Sequence, residues 1–184
     1  MYKGTGASPG IALGKALVIE HSELVIEKKT IENIDEEIQK LESAVKVSKE
    51  ELTKVKEKAL AELGEHEAEI FEAHLLVLED PELIGSAISK IRDEKVNADY
   101  ALNEIKEMFV AMFESMDNEY MRARAADIKD VTNRVLRHIL GIKVVDLAGL
   151  DEEVVLIAHD LTPSDTATMN KNMVLGFLDR KSVV

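Results

Sequence analysis

The 184-residue chain is 46% hydrophobic and 32% charged. That length suits one domain or two small ones with a core of their own, and the absence of Cys excludes disulfides, thiolate metal sites and a cysteine nucleophile. A net charge of −13, from 36 acidic and 23 basic residues, opposes binding to nucleic acid or to an anionic membrane.

The N-terminal stretch Met1-Tyr2-Lys3-Gly4 lacks the apolar run of a signal peptide. No window approaches the roughly 18 consecutive apolar residues of a membrane span. A cytoplasmic protein without membrane insertion is expected. Thr5 to Gly10 form a turn cluster, and Ile11 to Ile19 read as a strand whose internal glycine signals a close backbone approach. Leu24-Val25-Ile26 reads as a second short strand.

From Thr30 the period changes. Ile31, Ile34, Ile38, Leu41, Val45, Ser48, Leu52, Val55 and Ala59 alternate spacings of three and four, a heptad seam on one long helix. Asn33 with Glu36 marks its start as a variant capping box, and Gly64 its end. A second helix is expected over 66–79, with Ile70, Phe71, His74, Leu75 and Leu78 on one stripe, broken by Pro81. A third covers 82–93 with Leu83, Ile84, Ala87, Ile88 and Ile91 inward. Asn97 is placed as cap of a fourth, with Leu102, Ile105, Met108, Phe109, Met112 and Met116 inward. Asp117 is placed as cap of a fifth, carrying Tyr120, Ala123, Ile128, Val131, Val135 and Ile139 up to Gly141. Val154 to Ala158 reads as a buried strand, Thr162-Pro163-Ser164-Asp165 as a helix start, and Met173 to Phe177 as another strand. The expected fold class is α+β, with a helical bundle over 30–141 inserted into a small α/β domain built from 1–29 and 142–184.

Candidate chemistry is sparse. Residues 65–82 hold Glu65, Glu67, Glu69, Glu72, Glu79, Asp80 and Glu82 and no Lys or Arg. Such a face is either a solvated surface over a bundle core or a platform for a partner with a basic rim and an apolar centre. His66 and His74 are eight residues apart, about 12 Å along a helix, too far to share a metal ion. Ser164 and Asp165 match helix capping rather than a nucleophile and its acid, and the glycines near the start form no phosphate loop. His21 is expected in a solvated loop, His159 at the surface, and His138 at the last turn of its helix. On the residues alone, a binding module and part of an enzyme with its chemistry elsewhere both remain open.

Five ordered blocks carry a resemblance. They are Gly6-Ala7-Ser8-Pro9-Gly10-Ile11-Ala12 with Gly14-Lys15-Ala16; Ile70-Phe71-Glu72-Ala73-His74 with Leu78-Glu79-Asp80-Pro81-Glu82-Leu83; Asn118-Glu119-Tyr120 with Arg124-Ala125-Ala126-Asp127-Ile128; Asp160 to Ala167; and Val174-Leu175-Gly176-Phe177. Together the chain resembles the N-terminal part of Enzyme I of the bacterial phosphoenolpyruvate-dependent sugar phosphotransferase system. The resemblance implies a helical HPr-binding domain inserted into a phosphohistidine-type α/β domain, incomplete here. It also implies phosphoryl transfer from phosphoenolpyruvate through a histidine to the carrier HPr during sugar uptake. The implied partner surface comprises Glu65, Ile70, His74, Val77, Glu82, Phe109, Phe113, Met121 and Arg124. The acids would steer cations, the apolar side chains would supply contact area, and Arg124 would donate hydrogen bonds.

In that family Gly-Gly-Arg-Thr-Ser-His follows Val-Leu-Gly-Phe, whereas Phe177 here is followed by Leu178 to Val184. The resemblance thus puts the phospho-accepting histidine just beyond Val184 and leaves no catalytic residue and no cofactor in this stretch. Magnesium, phosphoenolpyruvate binding and dimerisation would belong to the family's C-terminal domain. The competing expectation is a stand-alone helical adaptor.

Overall fold

A computed structural model describes residues 6, 8–19, 24–142, 145–159 and 161–180. His21, and Thr5 and Ala7 of the turn cluster, lie outside them. The described elements run β1 (Lys15–Ile19), α1 (Ile34–Glu62), α2 (Glu65–Glu79), α3 (Pro81–Glu94), α4 (Ala98–Glu114), α5 (Glu119–Leu140), β2 (Val154–Ala158), α6 (Pro163–Thr168) and β3 (Val174–Leu178). Contacts divide the chain into Leu24–Lys143, which is helical, and a second unit of Met1–Glu23 with Val144–Val184. No described helix is long and apolar enough to cross a membrane.

In the second unit the three strands form a parallel sheet in the order β1-β2-β3. Alternation along β2 sends Val154, Leu156 and Ala158 into a small core with Ile19, Leu147 and Met169. β3 starts one residue later than the spacing predicts, and a register shift separates its pairing with Val154 from that with Val155. Gly14 makes the close approach its position suggests, since a Cβ there would lie 3.1 Å from the Leu175 side chain, which would have to give way. Thr162 and Asp165 close a reciprocal capping box on α6, as the sequence anticipates.

The heptad seam is the backbone of the helical unit. Ile38, Leu41, Val45, Ser48, Leu52, Val55 and Ala59 are all buried along α1, joined by Ala44. Burying each of the larger aliphatic side chains contributes about 1.5–3 kcal/mol at most. Asn33 accepts the Glu36 N–H at 3.2 Å, and Gly64, with φ of 116°, lets the chain turn directly into α2. Helix α1 packs on α2 and α5, and α4 on α3 and α5.

Several expectations fail for identifiable reasons. Leu24 to Ile26 is not a strand but the start of an irregular strap, whose following backbone is bound by Asn97. Asn97 Oδ1 accepts from Lys29 N–H at 2.8 Å and its Nδ2 donates to the Glu27 carbonyl at 2.9 Å. Asn97 therefore does not cap α4 with its side chain; the Glu37 carboxylate accepts the Ala98 N–H instead, at 2.7 Å. This strap belongs with the helices, which is why the helical unit begins at Leu24. The cap of α5 is Asn118 rather than Asp117, its Oδ1 accepting the Met121 N–H at 3.3 Å. Met108 and Met112 are 55% and 45% exposed rather than inward. Val110 packs with Ala125 and Ile128, and residues two positions away sit roughly 160–200° around the helix. The first turn of α5 leaves the core, so Tyr120 and Ala123 are exposed. His138 does lie in the last turn of α5, with its Nε2 3.0 Å from Glu51 Oε2 on α1, and Gly141 closes the helix.

Glu94 ties the strap to α3. It accepts from Lys90 at 2.7 Å and Lys28 at 3.2 Å, and these bonds, Lys90 first, hold its carboxyl below the ordinary range. A lowered folded value means that its contribution is complete above the unfolded value and disappears as pH falls through the folded one. A carboxyl-carbon NMR titration should place the Glu94 midpoint below the ordinary glutamate range, and Glu94→Gln should remove that titration. A midpoint at or above the ordinary range would contradict the pairing.

Candidate partner-docking groove

Helix α2 carries Leu75-Leu76-Val77-Leu78, four consecutive apolar residues on a helix that has only one side against the core. Leu78 is buried, Leu75 and Val77 are half-buried, and Leu76 stays 60% exposed. Val77 meets Phe109 and Phe113 from the end of α4 over a floor that includes Ile128 of α5. The result is a cleft of about 300 Å³. Ala73, Leu76, Val77, Asp80 and Leu83 form one side, Phe109 and Phe113 the second, and Tyr120, Met121, Arg124 and Ile128 the third.

Arg124 is the cationic wall. Its guanidinium lies over the Tyr120 ring, 4.8 Å from the centroid, donates to the Tyr120 hydroxyl, and donates to Asp127 Oδ2 at 3.1 Å. The Tyr120 bond and the nearby Asp127 charge raise its pKa further, fixing the positive charge. Asp80 accepts the Glu82 N–H at 2.8 Å, starting α3 at the cleft's edge.

The acids of 65–82 divide into two sets. Glu72 pairs with Lys56 and Glu79 lies 3.7 Å from Lys49, both lysines on α1, while Glu69 lies 3.8 Å from His66. Glu65, Glu67 and Glu82 are exposed and make no ion pair among the described residues. Among those residues no group of three or more His, Asp or Glu side chains could hold a metal ion.

Of the expected partner residues, Val77, Phe109, Phe113, Met121 and Arg124 come together around the cleft. Ile70 is 43% exposed on α2 but outside the lining, and Glu65 and Glu82 stand beyond opposite ends of the apolar stretch. His74 is a correction. It is 1% exposed, on the inner face of α2 against α5, and cannot touch a partner directly. Leu76 and Tyr120 are additions. The consecutive apolar run signals Leu76 in the sequence; Tyr120 belongs to one of the five blocks but is expected inward on α5, and it stands at the cleft because the first turn of α5 leaves the core.

Residues 3–124, most of the chain, match the family described as PEP-utilising enzyme, N-terminal. The chain belongs to this family. Within the PEP-utilising enzymes it is 55% identical over 175 residues to the phosphoenolpyruvate-protein phosphotransferase of Priestia megaterium, covering 95% of this chain and 30% of that relative. It is 54% identical to that of Bacillus subtilis, covering 95% of this chain and 31% of the relative. The chain thus spans about a third of the length of the curated relatives it matches. A solution NMR structure titled Enzyme I (nEIt) superposes with a TM-score of 0.87 at 50% identity, over 97% of this chain and 73% of that one. The N-terminal domain of Enzyme 1 - Nitrogen shares the fold, with a TM-score of 0.72 at 20% identity over 96% of this chain and 73% of that one. The α+β architecture, a helical unit with a small parallel sheet, is that of the N-terminal region of Enzyme I.

Proposed function

We propose that this chain is the carrier-docking part of a phosphoenolpyruvate-protein phosphotransferase and that its cleft receives HPr. The observation that carries the proposal is an apolar cleft walled in part by α2 and the start of α3, the two helices that also carry the exposed carboxylates Glu65, Glu67 and Glu82, which make no ion pair among the described residues. This arrangement fits a small protein with a basic rim and an apolar centre. Leu76, Val77, Phe109, Phe113 and Met121 supply the desolvated area, and Arg124 offers a fixed donor.

In the whole enzyme the phosphoryl group would pass from phosphoenolpyruvate to a histidine and on to HPr in sugar uptake, in the cytoplasm. Magnesium and dimerisation would be supplied by other parts of it. None of the described histidines is proposed as the acceptor. His74 is sealed inside the helical unit, and His138 is engaged by Glu51. His66 and His159 are exposed and are not among the residues that line the cleft.

The experiment is a titration with an HPr protein at increasing salt. Affinity should fall as ionic strength rises, and Glu82→Lys should lower the association rate several-fold while leaving dissociation and helix content close to wild type. Salt-independent binding, or none, would contradict the proposal.

A further inference from the structure

Among the described residues His74 is the most deeply buried ionisable side chain, and the docking surface does not use it directly. Its Nε2 lies 3.4 Å from Asp127 Oδ1 and its Nδ1 lies 3.9 Å from Asp130 Oδ2, two carboxylates one helical turn apart on α5. Phe71 meets the ring edge-on, with centroids 5.8 Å apart and planes at 86°, which fixes its tilt. Nδ1 makes no hydrogen bond. A buried polar atom without a hydrogen bond is costly, and an apolar side chain of similar volume would fill the space more cheaply. Packing alone therefore does not account for an imidazole here.

The other oxygen of Asp127 leads outward. Oδ2 accepts from Arg124, and Arg124 in turn is stacked on and bonded to Tyr120, so the buried imidazole is connected through one carboxylate to the cationic wall of the cleft. Resting on the docking reading above, we infer that His74 is a positioning residue. It holds Asp127 in the orientation that clamps Arg124 against Tyr120, and so sets where a docked partner must present a hydrogen-bond acceptor. Without the imidazole Asp127 is free to rotate, Arg124 loses one of its two anchors, and the donor is no longer fixed before the partner arrives.

The test uses the full chain and two variants, His74→Leu and His74→Gln, with two readouts. One is the Arg124 guanidinium NMR signal without partner. In His74→Leu it should shift and broaden, and in His74→Gln, which keeps an amide donor, it should stay close to wild type. The other is affinity for HPr, which should fall about tenfold in His74→Leu and recover in His74→Gln. His74→Leu combined with Asp127→Asn should bind no more weakly than Asp127→Asn alone. A folded leucine variant with a wild-type Arg124 signal, or a loss that adds fully to that of Asp127→Asn, would overturn the inference. If the leucine variant does not fold, His74→Met, of similar volume and without a donor, takes its place under the same signal and additivity criteria. If wild type does not bind HPr, the docking reading fails, while the partner-free Arg124 signal still decides the positioning role.

Discussion

Phe71→Ala lowers the unfolding free energy of the helical unit by about 3–5 kcal/mol. Phe71 is 2% exposed and belongs to the inner face of α2 with Ala68, His74 and Leu78. That face holds α2 to α1 and α5, and therefore holds the cleft together. Truncation removes the ring's burial and leaves a void that rigid neighbouring helices fill only in part. The loss also removes the edge-on support of the His74 ring. Urea unfolding followed by far-ultraviolet circular dichroism measures it. A loss below about 1 kcal/mol would mean that α2 is not anchored through this side chain.

Leu76→Asp weakens HPr binding by at least about thirtyfold with little change in stability. Leu76 is largely exposed, so it contributes little to the core, yet it stands in the wall of the cleft beside Val77. A carboxylate there must be dehydrated against Phe109 and Phe113 when a partner closes over it, with no hydrogen bond to compensate. The substitution also adds negative charge, which attracts a basic partner at long range. Association should therefore persist, with the loss appearing in dissociation. Calorimetric titration with kinetics by surface capture reads both quantities. Wild-type affinity in Leu76→Asp would remove the cleft from the interface.

The two effects separate cleanly because the inner and outer faces of α2 were distinguishable in different degrees. The heptad seam of α1 was legible because every third or fourth residue from Ile38 to Ala59 points to one side, and burial follows that periodicity along the helix. The caps at Asn33, Thr162 and Gly141 were legible because they are local chemistry. What failed was set by distant partners. Asn97 has the sequence signature of a cap but spends its amide on a strap some 70 residues earlier, at Glu27 and Lys29. Met108 and Met112 match a helical stripe, but α5 selects the Val110 side of α4. The candidate site shows the same division. Five of the nine expected partner residues line one cleft, because α2 and α4, which hold three of them, both pack on α5, which holds the other two. His74 sits on an apolar stripe in the sequence, and only the carboxylates of α5 give its burial a meaning.

Docking of a carrier in the cleft between α2, α4 and α5 can be read out directly. The most direct measurement is a backbone and methyl NMR titration of this chain with an HPr protein. Shifts should concentrate on Leu76, Val77, Phe109, Phe113, Met121 and Arg124. Shifts confined to the sheet, or to the far side of α1, would contradict docking in the cleft.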